Sequence, residues 1–148
     1  MNYINKMHLE IPAISINESF ARGIVGAFCT NVNPTLEQIN DIKTAVSEAV
    51  TNCIVHGYKS CNGNICIDTT LFDNYVQISI EDFGVGIDDV NKAMQPFFTT
   101  KPDEERSGMG FTVMQAFMDK VEISSQVGKG TKVLMTKYFK IEEDNPDA

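Results

Sequence analysis

The spacing of apolar positions divides the chain into a strand, two helices, a hairpin, a long punctuated stretch, a third helix and a second hairpin. Met7 to Ala13 alternates as a half-buried strand does. Phe20, Ile24, Ala27 and Phe28 then recur at helical spacing in a segment from about Asn17 to Asn31, which Asn33-Pro34 breaks. Thr35, with Gln38 three residues on, fits a capping box, in which the threonine hydroxyl and the glutamine amide each satisfy an orphan backbone N–H. Ile39, Ile42, Val46, Ala49, Val50, Cys53 and Ile54 follow as one apolar stripe, predicting a helix from Leu36 to about His56 that Gly57 ends.

Period two returns at Ile65, Ile67, Thr69 and Leu71, and again at Val76, Ile78 and Ile80, with Asp73-Asn74 between them as a tight turn. Between Asp82 and Gly110 the punctuation is dense: Gly84, Gly86, Pro96, Pro102, Gly108 and Gly110, with room for one short helix near Asp88 to Met94. A connection of that length inside a compact domain predicts a lid or binding segment. A helix from about Phe111 to Met118 and strands at Lys120 to Gln126 and Thr131 to Phe139, around the turn Val127-Gly128-Lys129-Gly130, complete the pattern. The order predicts an α/β protein of the α+β two-layer kind, helices on one face of a mixed sheet.

Composition narrows the function. The 148 residues predict one domain over residues 1–140, with 141–148 as an acidic, disordered tail, and 43% hydrophobic residues suffice for one core. A net charge of -8 and a pI near 4.6 set up a field that repels phosphate backbones and anionic lipid, which disfavours general nucleic-acid or membrane-surface binding. There is no charged-then-apolar leader at Met1 to Glu10 and no run of about 18 apolar residues, so the expectation is a soluble, cytoplasmic protein. Cys29, Cys53, Cys61 and Cys66 contain no C-x-x-C pair and only two histidines accompany them, so they read as free thiols packed as small hydrophobes rather than as a zinc site.

Three clusters could carry chemistry. Glu48 and Asn52 are four apart on the second predicted helix, and His56 continues their line by a turn. A carboxylate and an amide there could activate a hydroxyl and offer oxygen to a hard cation; a solvated helix flank is the plainer alternative. Asp82-Phe83-Gly84-Val85-Gly86 follows a strand, placing an acid where two glycines let backbone approach a ligand, or making an ordinary glycine turn. Its D-F-G is not the protein-kinase motif, because the chain has no H-R-D loop and no lysine-bearing V-A-I-K strand. Ser107-Gly108-Met109-Gly110-Phe111 leads into a helix whose N–H groups could hold a phosphate, with Lys101 and Arg106 nearby, although a solvated charged loop would look the same. No Walker loop or dinucleotide fingerprint occurs.

Taken in order, Glu48-x-x-x-Asn52, Asp82-x-Gly84-x-Gly86, Gly108-x-Gly110 and Gly128-x-Gly130-Thr131 resemble the four nucleotide boxes of the ATPase superfamily of histidine kinases, type II topoisomerases and heat-shock chaperones. Closer still, Asn17 to Arg22, Val46 to Tyr58, Gln95 to Pro102 and Arg106 to Phe111 resemble the anti-sigma F factor family of endospore-forming bacteria. That resemblance implies a Bergerat-type ATP-binding fold with a mostly antiparallel sheet, and ATP or ADP with Mg²⁺ as ligands. It implies that Asp82 bonds the adenine amino group, that Thr131 supports the base edge and that Gly84 and Gly86 shape the pocket. Asn52 would hold Mg²⁺, Gly108, Met109 and Gly110 would present N–H groups to the phosphates, and Arg106 would reach the terminal phosphate, with Thr99, Thr100, Lys101 and Ser107 lining the same lid. Glu48 would be the base for a serine acceptor, which, unlike a histidine, is not nucleophilic until deprotonated. The implied biology is a homodimer, joined at the first strand, that holds the sporulation sigma factor F inactive and phosphorylates a serine of an anti-anti-sigma protein, with Arg22 contacting both partners. The alternatives are a serine kinase with another client and a non-catalytic module that senses ATP against ADP.

Overall fold

The computed structural model describes residues 2–94 and 110–139. Strand β1 (Asn5–Pro12) leads into helices α1 (Ile16–Cys29) and α2 (Leu36–Asn52), then strands β2 (Asn64–Leu71) and β3 (Tyr75–Asp82). A short helix α3 (Val90–Ala93) precedes the segment outside the described residues, after which come α4 (Gly110–Phe117), β4 (Lys120–Gln126) and β5 (Gly130–Tyr138). The predicted capping box is formed: the Thr35 hydroxyl accepts the Gln38 N–H at 3.1 Å and the Gln38 side chain accepts the Thr35 N–H at 2.8 Å. The expected tail, residues 141–148, lies outside the described residues.

The strands form one sheet in the order β1-β2-β3-β5-β4. All four pairings are antiparallel, so the sheet expected to be mixed but mostly antiparallel is wholly antiparallel among the described strands. The reason lies in the crossovers. From β3 the chain passes through α3 and α4 to the edge strand β4, which runs in the same sense as β3, and the hairpin then inserts β5 between them. The helical pair α1 and α2 connects β1 to β2 in the same manner without creating a parallel neighbour.

Alternation decides which side of the sheet is covered. Ile65, Ile67 and Leu71 of β2, Ile78 and Ile80 of β3 and Met135 of β5 are fully buried against Ile42, Val46 and Val50 of α2, with Val25 of α1 and Met114 of α4 in the same cluster. Burying a side chain of this size stabilises by about 1.5–3 kcal/mol. The helix stripe predicted on α2 is thus the centre of the core, and it holds Glu48 and Asn52 at a fixed height above the sheet. Lys137 joins three elements: its ammonium donates to Asp41 Oδ2 at 3.1 Å on α2 and to the Phe117 carbonyl at 2.6 Å at the end of α4. A cation there satisfies one of the carbonyls that a helix C-terminus leaves without a partner.

On the opposite side of the sheet His8 Nδ1–H donates to Asp68 Oδ1 at 2.6 Å, between residues paired directly across β1 and β2. This partner raises the histidine above its ordinary 6.5. Because the folded pKa exceeds the unfolded one, the contribution to stability is complete below pH about 6.5 and disappears as pH rises through the raised value. Both groups are exposed, so the effect is small. The Tm difference between the wild-type chain and His8→Gln is expected to be largest in acid and to vanish in alkaline buffer. A difference independent of pH would rule out the ion pair as its source.

Candidate functional site

At its C-terminal end α2 departs from the regular helix expected to reach His56. Cys53–Gly57 form a single π-type turn, closed by the Tyr58 N–H on the Cys53 carbonyl at 2.9 Å. Such bulges widen a helix by one residue and occur often at functional sites. Here the turn brings Gly57 against the loop that follows β3: the Gly57 carbonyl accepts the Val85 N–H at 2.9 Å.

Between this turn, the loop Phe83–Ile87, α3 and the start of β5 lies a cavity of about 480 Å³. The volume falls in the range of cofactor and small-ligand pockets, about 300–1,000 Å³. Ala49, Ile80, Val133 and Val127 give it apolar walls, Asn52, Asp82 and Thr131 stand among them as polar groups, and His56, Lys59, Asp88, Asp89 and Lys92 also belong to the lining. Phe111 also lines it, which brings the first turn of α4 to the cavity. Two polar members, Asn52 and Asp82, are themselves buried.

The Asp82 carboxylate is held from several sides. Its Oδ1 accepts the Gly84 N–H at 3.0 Å, and the Thr131 backbone, opposite it in the β3–β5 register, and the Cys53 thiol lie beside it as polar neighbours. Burial pushes the carboxyl above its usual range, while these neighbours favour the ionised form and oppose that rise. Cys53 is pushed far up by burial and by Asp82, so it remains a protonated thiol and a donor, not a nucleophile.

Hydrogen bonds lock the loop after Asp82 to both neighbours. Val85 carbonyl accepts the Gly128 N–H at 2.8 Å, and Ser125 Oγ accepts the Ile87 N–H at 2.7 Å. Ser125 also lies 2.9 Å from Thr131 Oγ1 and donates to the Gly130 carbonyl at 3.0 Å. Backbone approaches are close enough to require glycine: a Cβ on Gly84 would stand 1.9 Å from the Gly57 carbonyl oxygen, and one on Gly130 2.1 Å from that of Asp82.

Of the residues predicted from sequence, Asn52, Asp82, Gly86 and Thr131 therefore meet at one cavity, with Gly84 packed behind it and Gly110 opening α4. Glu48 stands one turn before Asn52 on α2, half-buried, and is not among the described lining residues. Arg22 is on the surface of α1, 3.7 Å from Glu18, away from the lining. Thr99, Thr100, Lys101, Arg106, Ser107, Gly108 and Met109 lie outside the described residues. The sequence reading did not find Cys53, Tyr58 or Ser125. Cys53 reads as one more member of the apolar stripe, and the partners of the other two are 25 and 38 residues away.

Among the described residues no group of three or more His, Cys, Asp or Glu could hold a metal ion. Mg²⁺ carried on phosphates does not need such a cage, since it keeps several waters and takes one or two protein oxygens. The Asn52 side chain at the cavity wall offers one protein oxygen of that kind. No described helix is long and apolar enough to cross a membrane.

An antiparallel sheet covered on one side by helices, with an aspartate-bearing cavity between sheet and helix, is the architecture of the histidine kinase-like ATPase domain, and that family model matches residues 14–137. The chain is 58% identical over 139 residues to an "Anti-sigma F factor" of Caldanaerobacter subterraneus, covering 94% of this chain and 97% of the relative. Similar proteins of the same name occur in Bacillus subtilis, 53% identical and covering 91% and 93%, and in Clostridium acetobutylicum, 51% identical and covering 95% and 98%. The chain belongs to the anti-sigma F factor family of histidine kinase-like ATPases. The fold is also that of a solved structure of the RsbU and RsbW domains of a Mycobacterium tuberculosis protein, at a TM-score of 0.65 and 20% identity over 91% of this chain and 32% of that one.

Proposed function

We propose that the cavity binds MgATP and that the chain transfers the terminal phosphoryl group to a serine of a protein partner, an anti-anti-sigma factor, while its ATP form holds sigma factor F inactive. The observation that carries the nucleotide reading is the buried Asp82 carboxylate in an apolar slot, held by the Gly84 N–H. An ionised acceptor there matches the exocyclic amino group of adenine and repels the oxygen that guanine carries at the same position. Ala49, Ile80 and Val133 supply flat apolar contact for the base, and Thr131 stands beside Asp82 at its edge.

Asn52 would hold Mg²⁺, which would supply positive charge against the phosphates. Gly108, Met109 and Gly110 would offer N–H groups to the phosphates and Arg106 would meet the terminal one; Thr99, Thr100, Lys101 and Ser107 are the further candidates for nucleotide contact. Glu48 accepts the serine proton as the serine oxygen bonds to phosphorus, and the bond to the bridging oxygen breaks with its electron pair leaving on ADP. Its position outside the nucleotide lining fits a base that acts on the acceptor. Arg22, on a helix away from the cavity, is the candidate contact for both partners, and the outer edge of β1 is the candidate contact between two copies of the chain. The client assignment rests on relatives named for sigma F.

The test mixes the protein with MgATP labelled at the terminal phosphate and a serine-bearing anti-anti-sigma protein. Acid-stable label on the acceptor is the expected result. Tight ATP binding with no label on any serine acceptor would leave a nucleotide-gated binding module and overturn the kinase assignment.

A further inference from the structure

We infer that Tyr58 is a positioning residue for nucleotide recognition, acting through Asp82 without touching the nucleotide. Its hydroxyl stands between two backbone segments: it accepts the Phe83 N–H at 2.8 Å and donates to the Asn64 carbonyl at the start of β2. Its ring sits over Gly63, where a Cβ would fall 2.2 Å from the ring edge. Burial raises the phenol above its usual range, so the hydroxyl keeps the proton it donates. Tyr58 follows directly on the π-type turn whose last residue, Gly57, packs against the Asp82 carboxylate, where a Cβ would fall 2.7 Å away, and accepts the Val85 N–H. Phe83 is the residue next to Asp82. The end of α2 thus grips the loop at Asp82, Phe83 and Val85, and the residue immediately before that turn is Asn52. A rigid grip keeps a fixed span between the group that reads the base and the group that faces the phosphates, so both engage one ligand without rearrangement.

This inference rests on the nucleotide reading of the cavity, and the experiment separates the two. Dissociation constants for ATP and for inosine triphosphate, which carries an oxygen in place of the amino group, are measured by calorimetry for the wild-type chain and for Tyr58→Phe, with Tm recorded for each. The substitution keeps the ring and removes only the hydroxyl. The expected result is ATP binding weakened about tenfold and the preference for ATP over inosine triphosphate reduced by a similar factor. General loosening of the fold would weaken both ligands equally and leave the preference intact, which would overturn the inference. An unchanged ATP constant in Tyr58→Phe would also overturn it while leaving the nucleotide reading standing. A wild-type chain that binds neither nucleotide would instead remove that reading. Should Tyr58→Phe fail to fold, amide exchange in the wild-type chain decides. The Phe83 N–H is expected to be protected and to slow further with ATP, and exchange at the rate of an open loop, with or without ATP, would overturn the inference.

Discussion

Glu48→Gln is expected to lower the rate of phosphoryl transfer to serine by about 10²–10⁴-fold, the usual worth of a positioned general base. ATP affinity should change by less than about threefold. The amide keeps the shape and the hydrogen-bonding reach of the carboxylate but cannot take a proton at neutral pH. Because Glu48 lies outside the described lining of the cavity, the ground-state complex with ATP loses little. Single-turnover measurement with saturating acceptor isolates the transfer step from binding. Full-rate transfer by Glu48→Gln would remove the residue from the mechanism, and parallel loss of ATP binding would reassign it to the nucleotide.

Asp82→Asn is expected to weaken ATP binding by about 10–100-fold, the worth of one hydrogen bond to a charged group. The Asn amide oxygen can still accept the Gly84 N–H, but the adenine amino group then meets an acceptor without charge. Burial raises the Asp82 carboxyl, so the folded chain binds this proton more tightly than the unfolded chain. Its charge therefore opposes folding above the raised pKa, and the opposition fades as pH falls through it. Two consequences follow from that sign. The Tm of Asp82→Asn should equal or exceed that of the wild type at neutral pH, and wild-type ATP affinity should fall in acid as the acceptor protonates. Calorimetric titration across pH tests both, and an ATP constant unaffected by the substitution would take adenine away from Asp82.

Much of this arrangement could be read from residue order, for physical reasons particular to each element. Thr35 and Gln38 mark the start of α2 because their bonds are local. The alternation of Ile65, Ile67, Ile78 and Ile80 marks the hairpin because one side of that sheet is buried and the other is not. Asp82 and Asn52 could be singled out because a polar side chain beside glycines or along the border of an apolar stripe is conspicuous, whereas Thr131 is reached only through the resemblance of the glycine boxes. The π-type turn could not, since Cys53 and Ile54 extend the helical stripe and a shift of one residue leaves no mark in a pattern so short. Strand β1 begins at Asn5 rather than Met7 because Asn5 and Lys6 pair through backbone with Leu71 and Thr70, a partnership their polar side chains do not advertise. The antiparallel sheet depended on β5 entering between β3 and β4, a fact of topology and not of local pattern. Ser125 and Tyr58 were hidden because the bonds that fasten them to the loop after Asp82 span 38 and 25 residues.

The contacts of Gly84 with Gly57 and of Gly130 with Asp82 make the Asp82 end of the cavity a junction of close-packed main chain. Main chain held this way has no rotamers to freeze when a ligand arrives. The entropy of ordering that end is lost once, when the chain folds, and binding inherits a finished mould. Substitutions that repack distant core positions should consequently change the lifetime of the fold far more than its choice of base. A single methyl group added at either glycine would collide with main chain, so it should cost the fold its stability and the cavity its shape together.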